Sequence, residues 1–518
     1  MSKVAKSTVV LMIATMLAKI LGFVREQVLS YAYGLSMYTD VYITSMTIPT
    51  VVFAGIGVAI STTFIPIYCD IDSKHGDEEA IKFSNNMLMI VGMICLALAV
   101  LGGIFTEPLV KIFAVGFEGE KLKLAVEFTR IMIISIVAIG ISNVTTAYLQ
   151  LKNNFFIPGV ATIPQNLIII ASMLMSMKYG VKIMVWGSLI GIICAAIFQI
   201  PFAYKAGFKF KPYINIKDKN IKKMIILVGP VFLGVSVNQI NAIVDKTLAT
   251  TLDQGLLTSL SYANRLNEFV LAMFIASIAT VIYPILSKLS INDNKDEFKN
   301  SVSESMSIVI LLMIPISIGA MVLSKPIVRL LFERGAFDEH ATNVTSIALV
   351  MYSIGMTAFG LRNILDKVFY SLQDTKTPMK NGIITVILNI ILNIILVNTL
   401  GHAGIALATS ISGIVCIIIF CNSLKKKIGD FGQKNIIKTG MKSILAGIIM
   451  GIFTSLTFNK IDSILSSSIV NQVISLGISV VVGVIVYGAM ILVLKVNEAT
   501  KLIEQIKDII KIRIGSRC

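Results

Sequence analysis

LAKILGFVREQVLSYAYG, residues 17–34, is apolar enough to cross a membrane, yet it carries Lys19, Arg25 and Glu26 within hydrocarbon depth. An ionised group near a bilayer centre costs roughly 2.5–3.5 kcal/mol on insertion scales, so such residues are rare and turn toward wet interiors. At about 100° per residue, Lys19, Gly22 and Glu26 share one helix face, with Arg25 beside them. A charged stripe next to a glycine, on an otherwise apolar helix, predicts one wall of a polar chamber inside a membrane protein.

The rest of the chain agrees with that reading. Its 518 residues are 55% hydrophobic and only 14% charged, against about 25% charged in a soluble protein. The net charge of +16 then reports membrane topology rather than a nucleic-acid partner, because Lys and Arg collect in cytoplasmic loops. The first apolar stretch is too long for the core of a cleavable signal peptide. Taking about 20 apolar residues per span, the sequence predicts about fourteen transmembrane helices. They lie near 8–33, 39–69, 84–113, 124–151, 157–178, 183–204, 221–252, 257–287, 301–323, 341–371, 378–399, 403–424, 437–458 and 468–494. With the N-terminus inside, about 28 of the 45 Lys and Arg fall in inner loops and termini and about 8 in outer loops. The inner set includes the run from Lys205 to Lys223 and the cluster Lys425, Lys426, Lys427, Lys434 and Lys438. Both termini are therefore expected in the cytoplasm, with residues 496–518 as a basic amphipathic tail on the inner leaflet.

The chain also repeats itself at an offset of about 218 residues. Pro66 matches Pro284, Pro108 matches Pro326, Gly187 matches Gly404, and Leu149–Gln150 matches Leu372–Gln373 with slight slippage. Six spans per copy is an even number, so both copies share one orientation and should enclose a cavity between them. The expected fold is all-α and polytopic. It has two pseudo-symmetric six-helix lobes, residues 1–215 (spans one to six) and 216–428 (seven to twelve), and a last helix pair within 429–495. That pair is poor in charge and rich in small residues, which suits close packing or a smooth apolar groove.

Several residues could carry chemistry. In the eighth span Arg265 and Glu268 stand at i, i+3 with Ser261 and Asn264. They form either a structural ion pair or, with Arg25 of the other lobe, a site for phosphate-bearing anions, whose oxygens match guanidinium forks. Asp40 opens the second span, as a helix cap with Thr39 or as an outer gate paired with a basic group. Asp245 stands beside Lys246 in the seventh span. It serves as a structural acid or, with Asn389, Asn393 and Thr409, as an oxygen site for Na+ or a proton relay. Arg362 and Asp366, at i, i+4, read as an intrahelical ion pair with no further role. The six cysteines read as small buried hydrophobes, and His75, His340 and His402 make no metal-hydrolase spacing. Walker loops, nucleophile elbows and kinase motifs are missing. A membrane-embedded glycosyl or acyl transferase would need a catalytic acid or His with a partner, and the loops offer isolated histidines. An ion channel suits the two-lobed repeat less well than a carrier does.

In ILGFVRE (20–26), TDVY (39–42), FIP (64–66), VDKTLA (244–249), SLSYANRLNEF (259–269), LLFERGAFDEHAT (330–342), FYSLQDTKTP (369–378), LNIILNIIL (388–396) and LGHAGIALATSIS (400–412) the chain resembles the MurJ-type lipid II flippases. These belong to the MviN family of the multidrug/oligosaccharidyl-lipid/polysaccharide exporter superfamily. The resemblance implies a transporter rather than an enzyme, carrying the undecaprenyl-pyrophosphate-linked peptidoglycan precursor from the inner to the outer leaflet by alternating access. It implies a cavity lined by Arg25, Glu26 and Arg265, with Arg25 and Arg265 on the pyrophosphate, and a lipid-tail groove in spans thirteen and fourteen; Lys19 and Glu268 complete the candidate substrate site, and Asp40 stays the candidate gate. A cation site would comprise Asp245, Asn389, Asn393, the Ile405 carbonyl and Thr409, with Na+ or H+ coupling and no other cofactor. Relatives often carry an acid where Asn393 stands and an arginine in span two, which TIPTVVFAGIGVAIS (47–61) lacks. The expected setting is the bacterial cytoplasmic membrane, as a monomer meeting lipid II, membrane lipids, and cell-wall synthesis and division proteins. A translocase of another polysaccharide lipid, or a multidrug exporter of the same superfamily, is the alternative.

Overall fold

The computed structural model describes residues 3–291, 294–465 and 468–496, so the tail expected at 496–518 lies, beyond Val496, outside the described residues. Those residues form eighteen helices. In order they are α1 (Lys3–Tyr33), α2 (Met37–His75), α3 (Asp77–Ile104), α4 (Thr106–Phe113), α5 (Gly119–Met132), α6 (Ser135–Leu151), α7 (Phe156–Val160), α8 (Thr162–Tyr179) and α9 (Lys182–Lys205). There follow α10 (Lys219–Ala249), α11 (Leu256–Ile291), α12 (Lys295–Val322), α13 (Ser324–Phe332), α14 (Glu339–Ser371), α15 (Lys376–Leu400), α16 (His402–Ile428), α17 (Gln433–Ile464) and α18 (Ile469–Val493). Each of the fourteen expected stretches is helical. Eleven spans are long and apolar enough to cross a membrane by themselves, and α2, bent by 44° between Ala54 and Ile56, makes a twelfth. α1 and α10 occupy the first and seventh stretches.

Contacts divide the chain into two compact units, residues 1–258 with 334–338, and residues 259–333 with 339–518. α10 packs along α2 and so belongs to the first unit, whereas the repeat in the sequence assigns it to the second lobe. Within the first unit, Phe64, Phe83, Phe128 and Tyr148 form a buried core; in the second, Phe298, Phe369, Phe420 and Met313 do so. Large apolar side chains such as Ile94, Leu96, Val100, Ile448, Ile452, Val481 and Val484 face outward. Water would penalise that surface, and a bilayer's hydrocarbon would not. Of the cysteines, Cys95 and Cys416 are buried, but Cys69 is exposed rather than buried.

Local chemistry sets the helix ends. Ser36 caps α2 in a capping box: Ser36 Oγ accepts from the Thr39 N–H at 3.4 Å, and Thr39 Oγ1 accepts from the Ser36 N–H at 3.0 Å. The basic loop after α9 is held by two asparagines of α3. Asn85 pairs with the Lys209 carbonyl (2.8 Å) and Lys211 N–H (3.0 Å), and Asn86 with the carbonyl (3.0 Å) and N–H (2.7 Å) of Asn215. The repeat appears as one turn built twice. Asn153 and Gln373 have φ of 59° and 57°. After them the Asn154 N–H reaches the Leu149 carbonyl (2.8 Å), and the Asp374 N–H reaches that of Phe369 (2.9 Å). Leu149 therefore corresponds to Phe369, and the expected match to Leu372 is three residues out of register. Burial alone would raise the Asp374 carboxyl, but bonds from Lys427 (2.6 Å) and Thr377 hold it well below the usual carboxylate range.

Candidate functional site

In the first unit, α1 lies against α8. Arg25 Nη2 donates to Glu26 Oε1 at 2.7 Å, and Nη1 donates to Asn166 Oδ1 of α8 at 3.3 Å. Gly22 faces the same asparagine, since a Cβ there would stand 3.9 Å from Asn166 Nδ2. Lys19 is exposed on the same helix. A guanidinium has five N–H donors, and these two partners use one each. The arrangement fixes the guanidinium yet leaves donors that an incoming phosphate oxygen can accept from. Asn166 carried no signal in the sequence, because its partner lies 141 residues away.

Asp40 is 1% exposed. Since Ser36 is the cap, Asp40 stands inside the first turn of α2. Its Oδ2 accepts from Lys121 Nζ at 2.9 Å and the Gly255 N–H at 2.8 Å; its Oδ1 accepts from the N–H (3.1 Å) and hydroxyl (2.7 Å) of Thr258. Beside it, two glycine loops form a clasp. Gly335 (φ 61°) lies on Tyr31, whose carbonyl accepts from the Ala336 N–H at 2.9 Å. Gly116 lies on the Thr250 backbone, and its N–H donates to Thr250 Oγ1 at 3.2 Å. Gly116 follows α4 and Gly335 follows α13, the same place in each repeat. Each repeat's loop is thus seated on the end of the other repeat's first helix, and a Cβ at either glycine would overlap backbone atoms.

In the second unit, Arg265 Nη1 pairs with Glu268 Oε2 at 3.1 Å, and Asn264 Nδ2 donates to Glu268 Oε1 at 2.9 Å. Arg265 and Glu268 are about half exposed, at 56% and 51%. Four of the five residues of the expected cation site come together here. Asn393 Nδ2 donates to Asn389 Oδ1 (2.9 Å), Asn389 Nδ2 lies 3.4 Å from Thr409 Oγ1, and Thr409 Oγ1 donates to the Ile405 carbonyl (3.0 Å). Asp245 belongs to the first unit, where it accepts from Asn241 at 3.4 Å, while Lys246 Nζ donates to Thr47 Oγ1 at 2.8 Å. Within the second unit these four residues offer amide, hydroxyl and carbonyl oxygens, the donor class that hard cations take. Among the described residues, no group of three His, Cys, Asp or Glu could hold a metal ion.

The family model described as "Lipid II flippase MurJ" matches residues 29–475, from the end of α1 into α18. The chain belongs to the MurJ lipid II flippase family. Curated MurJ relatives agree along most of their length. "Probable lipid II flippase MurJ" of Buchnera aphidicola is 29% identical over 89% of this chain and 92% of its own. "Lipid II flippase MurJ" of Burkholderia cenocepacia is 27% identical over 80% of this chain and 82% of its own. A solved structure titled "Lipid II flippase MurJ, inward closed conformation" superposes with a TM-score of 0.80 at 29% identity, covering 93% of this chain and 99% of that one. An inward-facing multidrug MATE transporter matches at a TM-score of 0.66 and 15% identity, which is a likeness of fold. The all-α polytopic fold expected from the sequence is thus that of the MurJ family.

Proposed function

We propose that this chain carries lipid II from the inner to the outer leaflet of the bacterial cytoplasmic membrane, with both termini in the cytoplasm. The observation that carries the reading is the family match running from α1 into α18. The physical task is to move a pyrophosphate–sugar–peptide headgroup through a medium without hydrogen-bond partners. Arg25 supports the reading, because its remaining donors suit a pyrophosphate, and Lys19 adds charge on the same helix where span two has no arginine. Arg265 would serve the same anion from the second lobe, with Glu26 and Glu268 holding the two guanidinium planes. The polyprenyl tail would stay in lipid along α17 and α18, whose outward faces are apolar.

In this orientation the clasp at Asp40 closes the outer end, so delivery requires it to open as the lobes alternate. An inside-negative potential favours outward movement of an anionic headgroup by about 2.3 kcal/mol per charge per 100 mV. Depleting the protein in its host should abolish lipid II exposure on the outer surface. Restoring wild-type chain should recover exposure, and restoring Arg25→Ala or Arg265→Ala should not. Undiminished exposure after depletion, in a host lacking another flippase, would overturn the assignment.

A further inference from the structure

The group that α8 turns toward Arg25 is an amide, and its own helix decides which way that amide faces. Asn166 is 5% exposed. Its Nδ2 donates to the Thr162 carbonyl, one turn back along α8, at 2.8 Å. Its Oδ1 is therefore the atom that accepts from Arg25 Nη1, at 3.3 Å. Gly22 of α1 leaves room for this arrangement, because even an ideal Cβ there would stand 3.9 Å from Asn166 Nδ2. Tyr42 of α2 also faces the Arg25 charge, and it is a buried phenol whose hydroxyl lies 2.7 Å from Ser188 Oγ. The Arg25 and Glu26 side chains keep 21% and 14% of their surface, so the pair is mostly buried yet reachable.

Asparagine and aspartate have nearly the same size, and both can accept from a guanidinium. They differ by one charge. A carboxylate makes the shorter and stronger bond to arginine, so an acid would serve better if the only task at this position were to fasten α1 to α8. The amide serves a different task. Lys19, Arg25 and Glu26 together carry one net positive charge, and a carboxylate at position 166 would cancel it. Glu26 already meets one face of the guanidinium at 2.7 Å, and a second acid would leave an incoming phosphate little field to answer. Away from bulk water that difference is amplified. We propose that Asn166 is a positioning and charge-selecting residue for the pyrophosphate, holding Arg25 through an uncharged acceptor so that the arginine stays cationic toward the substrate. The inference rests on the lipid II reading above and adds the residue that sets how strongly this wall of the site attracts an anion.

The test uses the purified full chain in detergent with lipid II, binding read by native mass spectrometry and folding by thermal unfolding of the same samples. Asn166→Ala removes the restraint and adds no charge, so binding should weaken about fivefold, the worth of one hydrogen bond. Asn166→Asp keeps an acceptor for Arg25 and adds a negative charge. It should unfold no earlier than the alanine variant, yet bind about a hundredfold more weakly than wild type. Combining Asn166→Asp with Glu26→Gln returns the net charge to its wild-type value and should recover binding to within about tenfold of wild type. A merely structural role predicts the opposite order, with the acid, as the stronger acceptor, binding at least as well as the alanine variant. That order would overturn the proposal, and so would a double variant that binds no better than Asn166→Asp alone. A wild-type chain that fails to bind lipid II would instead overturn the function proposed above, so the two failures are told apart by which sample shows them.

Discussion

Asp40 holds one carboxylate against four donors at 1% exposure, and its substitutions should rank by how many of those donors they strand. Asp40→Ala leaves the Gly255 and Thr258 N–H groups and the Lys121 ammonium without their acceptor. The expected cost is roughly 3–5 kcal/mol, the range for breaking a buried charged pair. Lys121→Met removes one donor from a side chain that is 17% exposed, while three bonds to Asp40 persist. Its cost should be about 1.5–3 kcal/mol, the range for a single hydrogen bond to a charged group. Thermal unfolding of the purified variants checks the order; equal midpoints would mean that Lys121 alone accounts for the role of Asp40. The acid itself was readable in the sequence, since a carboxylate at the start of a span needs a reason. Its partners were not, because Lys121 and Thr258 lie 81 and 218 residues away and nothing in a local pattern points to them. The same holds for Arg25, whose place on a charged helix face was evident while its contact with Asn166 was not.

Helix pairs approach as closely as their smallest residues allow, and α8 with α9 is such a pair. A Cβ at Gly187 would overlap the Cβ and Oγ of Ser172, so Gly187→Ala should destabilise by roughly 1–3 kcal/mol, the usual cost of overpacking. Adding Ser172→Gly should recover most of that loss, whereas Gly92→Ala, with nothing within 4 Å, should be neutral or stabilising. Midpoints of detergent-solubilised variants test this, and a Gly187→Ala protein as stable as wild type would refute the close approach. At this scale the sequence was informative about where helices lie, because about 20 apolar residues in a row admit little else in a bilayer. It said less about breaks. The expected spans near 84–113 and 124–151 are each two helices, parted at Phe105 and at Ile133–Ile134. Apolar residues run straight through the second break, so hydropathy has no minimum to mark it; the first carried a signal in Gly102–Gly103 and in the Thr106–Glu107–Pro108 that follows Phe105.

For the whole molecule, the internal repeat foretold two copies of one design, and the paired turns at Asn153 and Gln373 are its imprint. The exchange between copies was hidden. α10 begins the second repeat yet packs along α2, and residues 334–338 of the second repeat lie with the first unit. A repeat specifies what each copy looks like, and the interlocking depends on surfaces far apart in sequence. In the orientation proposed above, a gate at Asp40 would have to undo part of that interlocking for substrate to leave. Leu35 and Gly255 meet there, with an ideal Cβ at Gly255 lying 2.7 Å from the Leu35 Cβ. A disulfide needs Cβ atoms about 3.5–4.5 Å apart, a separation reached by a shift of about 1 Å. With the native cysteines replaced, Leu35→Cys with Gly255→Cys should form this bond under oxidation. The locked protein should then bind lipid II and fail to expose it outside, and a reductant should restore exposure. Either single variant should be insensitive to oxidant. A fully oxidised pair that still delivers lipid II at the reduced rate would mean that the clasp is a fixed corner of the fold and that the substrate leaves by another opening.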